Sequence, residues 1–317
     1  MKLIEDIKKD IKDTIKDEKL FVAFSGGLDS TVVALLAKDA LGKEKTELVN
    51  VLWGANVYSK SVEAVLKFAY EADLKINFVD GELEQEKLVS FGPNCNQCTR
   101  GIKMAKVKEF ALKNIVATGS NQCDSWGKTG IKLMNGLYAP LVNLEKKDIN
   151  KILDYYGVKI QKIGENLERE GCKLKHLLKL AARNDYHIRA VSIANEVLID
   201  ILDCFEFKRT IANVKIIGPL SKNIALINVN PQPDEEIKKI IIEKLSTEKS
   251  INEIVWVDRP LKLVITATAG ITNNVESRYW VLNGRLAPEF AFDVTAEWKA
   301  TKNKKLKTFN VIDYSFL

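Results

Sequence analysis

A parallel α/β sheet with helices on both faces is predicted for the first half of the chain, with a smaller α+β C-terminal domain after it. Three observations predict this. Short apolar runs that read as strands alternate with helix-length segments through about residue 156, as crossover connections require. The first of these runs, residues 20–24, passes at once into Ser25-Gly26-Gly27 and then into a helix-length apolar segment. Past about residue 165 the alternation gives way to helices and short strands without that rhythm. The expected domains are therefore residues 1–165 and 166–317.

Taken in order, residues 2–19 place Leu3, Ile4, Ile7, Ile11 and Ile15 at spacings of three and four among alternating Lys and Asp/Glu. That spacing predicts an amphipathic helix with one apolar stripe. Its polar face carries both signs of charge, so it suits a sheet cover rather than a membrane surface. Residues 20–24 read as a buried central strand, and 29–41 as a helix. Residues 47–53, 75–79, 114–118 and 137–142 read as further strands, with helices at 62–72, 103–113 and 146–156, the last stopped by Gly157.

In the second half, helices are expected at 173–183 and 189–205, and strands at 214–217 and 224–229. Pro231-Gln232-Pro233-Asp234 looks like a helix start, with Ile237, Ile240, Ile241 and Leu245 as the apolar stripe. Strands are expected at 253–257 and 261–269. Asn283-Gly284 suggests a hairpin turn after residues 279–282, and 290–298 alternates as a half-exposed strand should.

Composition narrows the function classes. The 317 residues are 46% hydrophobic and 28% charged, an ordinary globular balance. No apolar run reaches membrane-spanning length and no basic-then-apolar leader is present, so the expected address is cytoplasmic, without membrane contact. A net charge of +6 permits contact with a polyanion without requiring it. Five cysteines, with one C-x-x-C pair, fit metal binding or thiol chemistry better than a secreted disulfide framework.

The chemistry begins at residues 25–30. Paired glycines between a buried strand and a helix start let backbone N–H groups approach an anion, and the helix N-terminus adds partial positive charge. The Ser25 and Ser30 hydroxyls can donate to the same anion. Asp29 suits a magnesium ion bridging phosphates. Ser25-Gly26-Gly27-Leu28-Asp29-Ser30 resembles the SGGxDS signature of the PP-loop ATPases, also called N-type ATP pyrophosphatases. No Gly-Lys-Ser/Thr follows, so it is not a Walker A loop. The resemblance implies a Rossmann-like sheet of the PP-loop/HUP type and cleavage of ATP to AMP and pyrophosphate. It implies ATP contacts at Ala23, Ser25, Gly26, Gly27, Leu28, Asp29 and Ser30, with the adenine held at Leu52 or Trp53 and at Gly119; Trp53 reads equally as plain core at a strand end.

Cys95-Asn96-Gln97-Cys98 follows a Gly-Pro loop and precedes a predicted helix, beside Arg100 and Lys103; both features favour thiolate. Cys172 is expected just before the helix 173–183, near Lys173 and Lys175. Cys123 follows the fourth strand, and Cys204 reads as a core residue. PP-loop enzymes that install sulfur carry such a pair plus one distant cysteine, and this chain is similar to them. The resemblance implies that Cys95, Cys98 and Cys172 bind a [4Fe–4S] cluster with one open iron. Persulfide chemistry without metal, zinc with Cys123 as fourth ligand, and a pair without chemical role remain as alternatives.

The layout resembles both the tRNA thiouridine synthases and the sulfur transferase of nickel-pincer cofactor synthesis. The expected activity is adenylation of a substrate oxygen followed by sulfur transfer. The substrate would be tRNA or a small cofactor precursor, with sulfide or a persulfide carrier as sulfur donor and a homo-oligomer as the assembly. A PP-loop ligase or amidotransferase using ammonia is the alternative enzyme, and a nucleotide-binding module without turnover is the alternative from another class. Lys103 is one of the lysines expected to neutralise charge at the α-phosphate. Lys299, Lys302, Lys304, Lys305 and Lys307, with Trp298 and Phe309, read either as a solvated face or as a phosphate-backbone contact. Neither His176 nor His187 is expected to be catalytic.

Overall fold

The computed structural model describes residues 2–160, 163 and 171–317. It divides into two compact units: Met1–Gly54, Ser59–Gly81 and Thr99–Lys162 form the first, and Ala55–Tyr58, Glu82–Cys98 and Ile163–Leu317 the second. The boundary expected at residue 165 falls outside the described residues.

In the first unit, α1 (Lys2–Ile15) buries Ile4, Ile7, Ile11 and Ile15 on the stripe that the spacing predicts. β1 (Leu20–Ala23) is buried throughout, and α2 (Leu28–Leu41) follows it. Then come β2 (Thr46–Leu52), α3 (Ser59–Glu71) and β3 (Lys75–Asp80). α4 (Glu82–Val89) and the single turn α5 (Cys95–Gln97) belong to the second unit. The first unit resumes with α6 (Met104–Ala111), β4 (Ile115–Ala117), β5 (Leu133–Met134), β6 (Leu137–Tyr138) and α7 (Lys146–Tyr156).

The strand order is β3-β2-β1-β4-β6-β5. All neighbours run parallel except β5 and β6. The fold class expected from the sequence is the one found. Strand order reverses between β1 and β4, so the carboxyl end of β1, where residues 25–30 lie, is the switch point at which such sheets bind ligands. The strand expected at 137–142 is only two residues long, Leu137–Tyr138, and Pro140, which lacks a ladder N–H, follows it after Ala139.

In the second unit, α8 (Arg189–Cys204) packs on a sheet of β7 (Ile211–Ile217), β8 (Ile224–Asn230) and β9 (Glu253–Trp256), as does α9 (Glu235–Ser246). Asp234 caps α9 by accepting from the Ile237 N–H at 2.9 Å, as the Pro-Gln-Pro-Asp start predicts. A second sheet has the order β11-β10-β12, from β10 (Leu261–Ala267), β11 (Val294–Ala300) and β12 (Phe309–Phe316). Between β10 and β11 lie the short helices α10 (Ala269–Thr272) and α11 (Val275–Val281).

Two expected elements are corrected. Residues 173–183 hold only one 3₁₀ turn, Lys173–His176. The apolar run after it pairs as strand instead: Leu177 bridges Ile216, Leu178 N–H donates to Ile216 O at 3.0 Å, and Leu178 O accepts from Val311 N–H at 2.8 Å. Buried leucines at 174, 177, 178 and 180 fit a strand-like insert as well as a helix stripe. The hairpin expected around Asn283-Gly284 is also absent. Asn274 caps α11 by accepting from Ser277 N–H at 2.9 Å, and the helix runs on as a π turn over Leu282–Leu286. That cap outweighs the turn preference of Asn-Gly.

Candidate active site

The turn after β1 is built around two serines. The Ser30 hydroxyl donates to Gly27 O at 3.0 Å, accepts from Ser25 N–H at 3.3 Å and lies 3.2 Å from the Ser25 hydroxyl. The Gly27 N–H donates to the Ser25 hydroxyl at 3.4 Å. Gly26 has φ 72°, a backbone that side-chain-bearing residues rarely adopt. Asn50 anchors the strand end by donating to Phe24 O at 2.8 Å. Gly27 stands at the N-cap of α2 and offers no side-chain cap, so the first-turn amides are left for an outside acceptor.

β4 delivers Gly119 against this helix start. A Cβ at Gly119 would lie 2.7 Å from Asp29 Cβ and 3.1 Å from Ser30 N, so only glycine fits without movement. The buried hydroxyls of Thr31 and Thr118, flanking the same approach, have no hydrogen-bond partner among the described residues. The segment after Gly119 is itself fixed. Asp124 accepts from Asn121 N–H at 3.0 Å and Gly127 N–H at 2.7 Å. Asn121 donates to Gly119 O at 3.1 Å.

Lys146, the first residue of α7, reaches both carboxylate oxygens of Asp29 at 2.6 Å. The sequence pattern places Lys146 only as part of a helix. What could have singled it out is its position after a strand end on the same edge as the turn. Lys103, expected to act at the α-phosphate, lies in the π turn Cys98–Lys103. Trp53 is buried at 8% exposure, and a Cβ at Gly81 would lie 2.6 Å from its ring, so it is packed as core against that glycine. Leu52 and Gly119 stay partly open.

The donor chemistry fits a hard cation held with a nucleotide: Asp29 would supply one carboxylate, and phosphate oxygens the rest for magnesium. An iron–sulfur cluster is without support in the structure. Among the described residues no group of three or more His, Cys, Asp or Glu side chains is arranged to hold a metal ion. The same finding removes support for zinc with Cys123. Cys95, Cys123 and Cys204 are exposed, Cys98 and Cys172 are half-buried, and no disulfide links them.

Among the described residues, Gln85 brings two of the expected thiols together. The Gln85 carboxamide nitrogen lies 3.6 Å from Cys98 Sγ and 3.4 Å from Cys172 Sγ. Cys172 does not cap a full helix, because one 3₁₀ turn follows it. Cys204 is the last residue of α8 and exposed, so it is not the core residue its apolar neighbours suggest. In the lysine-rich tail Phe309 is buried and Lys299 pairs with Glu297 at 3.0 Å, which leaves Phe309 no face for a base. His176 and His187 are fully buried in the second unit.

A strand, a glycine turn and a helix start lie at the switch point of a parallel sheet, the place where α/β folds of this class bind their ligands. In agreement, residues 2–123 match the family model for NAD synthase, and this stretch contains β1, the turn and α2. An uncharacterized protein of Methanocaldococcus jannaschii is 25% identical over 279 residues, which are 75% of this chain and 92% of that protein. The NH(3)-dependent NAD(+) synthetase of Finegoldia magna is 29% identical over 178 residues, 50% of this chain and 69% of that protein. One subunit of the glutamine-hydrolyzing GMP synthase of Pyrococcus abyssi is 33% identical over 81 residues, 26% of each chain. Among solved structures, the NH3-dependent NAD synthetase of Campylobacter jejuni, in complex with nitrate, gives a TM-score of 0.41 at 22% identity, covering 49% of this chain and 72% of that one. Among the described residues no helix is long and apolar enough to cross a membrane.

Proposed function

We propose that this chain is an ATP-dependent, AMP-forming ligase that adenylates a carbonyl or carboxylate oxygen of a small molecule and replaces AMP with ammonia. The observation that carries it is the uncapped turn of residues 25–30 at the switch point, closed on one side by Gly119. The substrate oxygen attacks the α-phosphorus and pyrophosphate leaves against the turn amides. Ser25 and Ser30 hydroxyls and the amides of the α2 first turn hold that leaving group. Asp29 would hold magnesium, which when bound would supply neutralisation of the phosphate charge. Lys146, released from Asp29, would sit near the developing negative charge. Ammonia is the nucleophile because the named relatives with assigned activities use ammonia or hydrolyse glutamine.

The second reading, sulfur as the nucleophile, rests on one observation: Cys98 and Cys172 share Gln85. Incubation with ATP, magnesium and a panel of carboxylates separates the two. AMP and pyrophosphate that rise with ammonium and persist in Cys98→Ala support the ligase. Product that needs sulfide and vanishes in Cys98→Ala supports sulfur transfer, and ADP with phosphate would overturn both.

Lys146→Ala is expected to slow AMP formation about 10- to 100-fold. It should leave stability nearly unchanged, because the pair is partly exposed (48% and 29%) and such pairs contribute about 0–1 kcal/mol. Initial rates and a thermal melt on the same preparation check it.

A further inference from the structure

Gln85 lies on α4 at 2% exposure, yet its carboxamide nitrogen faces two sulfurs and its oxygen has no hydrogen-bond partner among the described residues. A primary amide has two N–H donors. Both are aimed at sulfur, a weak acceptor as a thiol and a strong one as a thiolate. A buried amide is costly to place unless its donors are used. We infer that Gln85 is a positioning residue for a dithiol site made of Cys98 and Cys172, which closes to a disulfide by exchange with a small-molecule disulfide.

The geometry carries this in three ways. Both sulfurs lie within hydrogen-bond reach of one nitrogen, so a single buried amide holds the two thiols as neighbours, and closing the bond calls for χ1 rotation of the cysteines with the amide drawn aside. Both cysteines are half-buried, accessible to a small reagent yet held in place. Cys95, three residues from Cys98, is exposed and makes no hydrogen bond to Gln85, which separates this pair from the C-x-x-C that the sequence advertises.

The step balances. The thiolate of one cysteine attacks a sulfur of the small disulfide, giving a mixed disulfide and one small thiolate. The second cysteine thiolate then attacks the first cysteine's sulfur, forming the Cys98–Cys172 bond and expelling the second small thiolate. Two cysteine thiols are oxidised, one small disulfide is reduced to two thiols, and the two cysteine protons pass to the leaving thiolates through solvent. ATP plays no part, so the inference stands apart from the nucleophile used in catalysis.

The test exposes the reduced full chain to glutathione disulfide and maps the linked peptides by mass spectrometry. Expected are the loss of two titratable thiols per chain and one cross-link between the peptides bearing Cys98 and Cys172. A Cys95–Cys98 link, glutathione left on Cys98 or Cys172, or no reaction would overturn it. Cys172→Ser should trap glutathione on Cys98. In Gln85→Met, alkylation of Cys98 and Cys172 at neutral pH is expected to slow about three- to tenfold, with Cys95 unchanged as the internal reference. An unchanged rate at all three cysteines would overturn the role given to Gln85.

Discussion

Asp29→Ala is expected to lower ATP-dependent formation of AMP and pyrophosphate by about 10²–10³-fold, the scale for removing one preorganised electrostatic contact. Asp29 lies in the first turn of α2 beside the turn of residues 25–30, faces Gly119 just after β4 and pairs with Lys146. It is therefore the carboxylate placed to hold a cation at the proposed phosphate site. Its loss removes the cation's protein ligand and frees Lys146 from its present position. Asp29→Asn keeps the shape and should be nearly as inactive, which separates charge from packing. Gly119→Ala attacks the same site sterically: its methyl would stand 2.7 Å from Asp29 Cβ, so the helix start must shift. That variant should bind ATP more weakly in calorimetry, while Asp29→Asn keeps the turn and loses turnover. Activity within twofold of wild type in Asp29→Ala would remove the turn from the mechanism.

The legible part of the fold is the part governed by local pattern. The stripe of Ile4, Ile7, Ile11 and Ile15, the turn at residues 25–30 and the cap at Asp234 each specify their structure within a few residues. Contacts between distant segments were not legible. Lys146 meets Asp29 across 117 residues of sequence, and Gln85 meets Cys172 across 87. No periodicity encodes such pairs. The leucines at 174–180 mislead for a related reason: a segment buried on both sides looks alike as strand or helix. The C-x-x-C is a different case: spacing along the chain suggests a ligand pair, while the described side chains join Cys98 to Cys172 through Gln85.

Glu289→Gln is expected to destabilise the second unit by about 3–5 kcal/mol, the cost of removing one partner from a buried ionic cluster. Glu289 meets Lys215, Lys175 at 3.1 Å and Arg285 at 2.8 Å. Lys215 is fully buried, and its ammonium also donates to His176 Nδ1 at 2.8 Å. Burial alone would raise the Glu289 carboxyl, but Lys215, Arg285 and Lys175 outweigh it and hold the group below its ordinary 4.5. Burial, with Lys215 next, keeps His176 neutral and able to accept that bond. Glutamine keeps the shape and loses the charge, so three cations are left to repel across the space the carboxylate held. Lys215→Met should cost less, since Glu289 keeps Arg285 and Lys175. A carboxyl lowered in the folded state adds stability that is complete above pH 4.5 and fades as pH falls through the folded value. Wild type should therefore lose stability steeply below pH 4.5, and Glu289→Gln should lack that part of the slope. Urea unfolding followed by Trp256, Trp280 and Trp298 fluorescence at pH 7 and pH 4 checks both. Equal midpoints for wild type and Glu289→Gln at pH 7 would show that the cluster contributes nothing to stability.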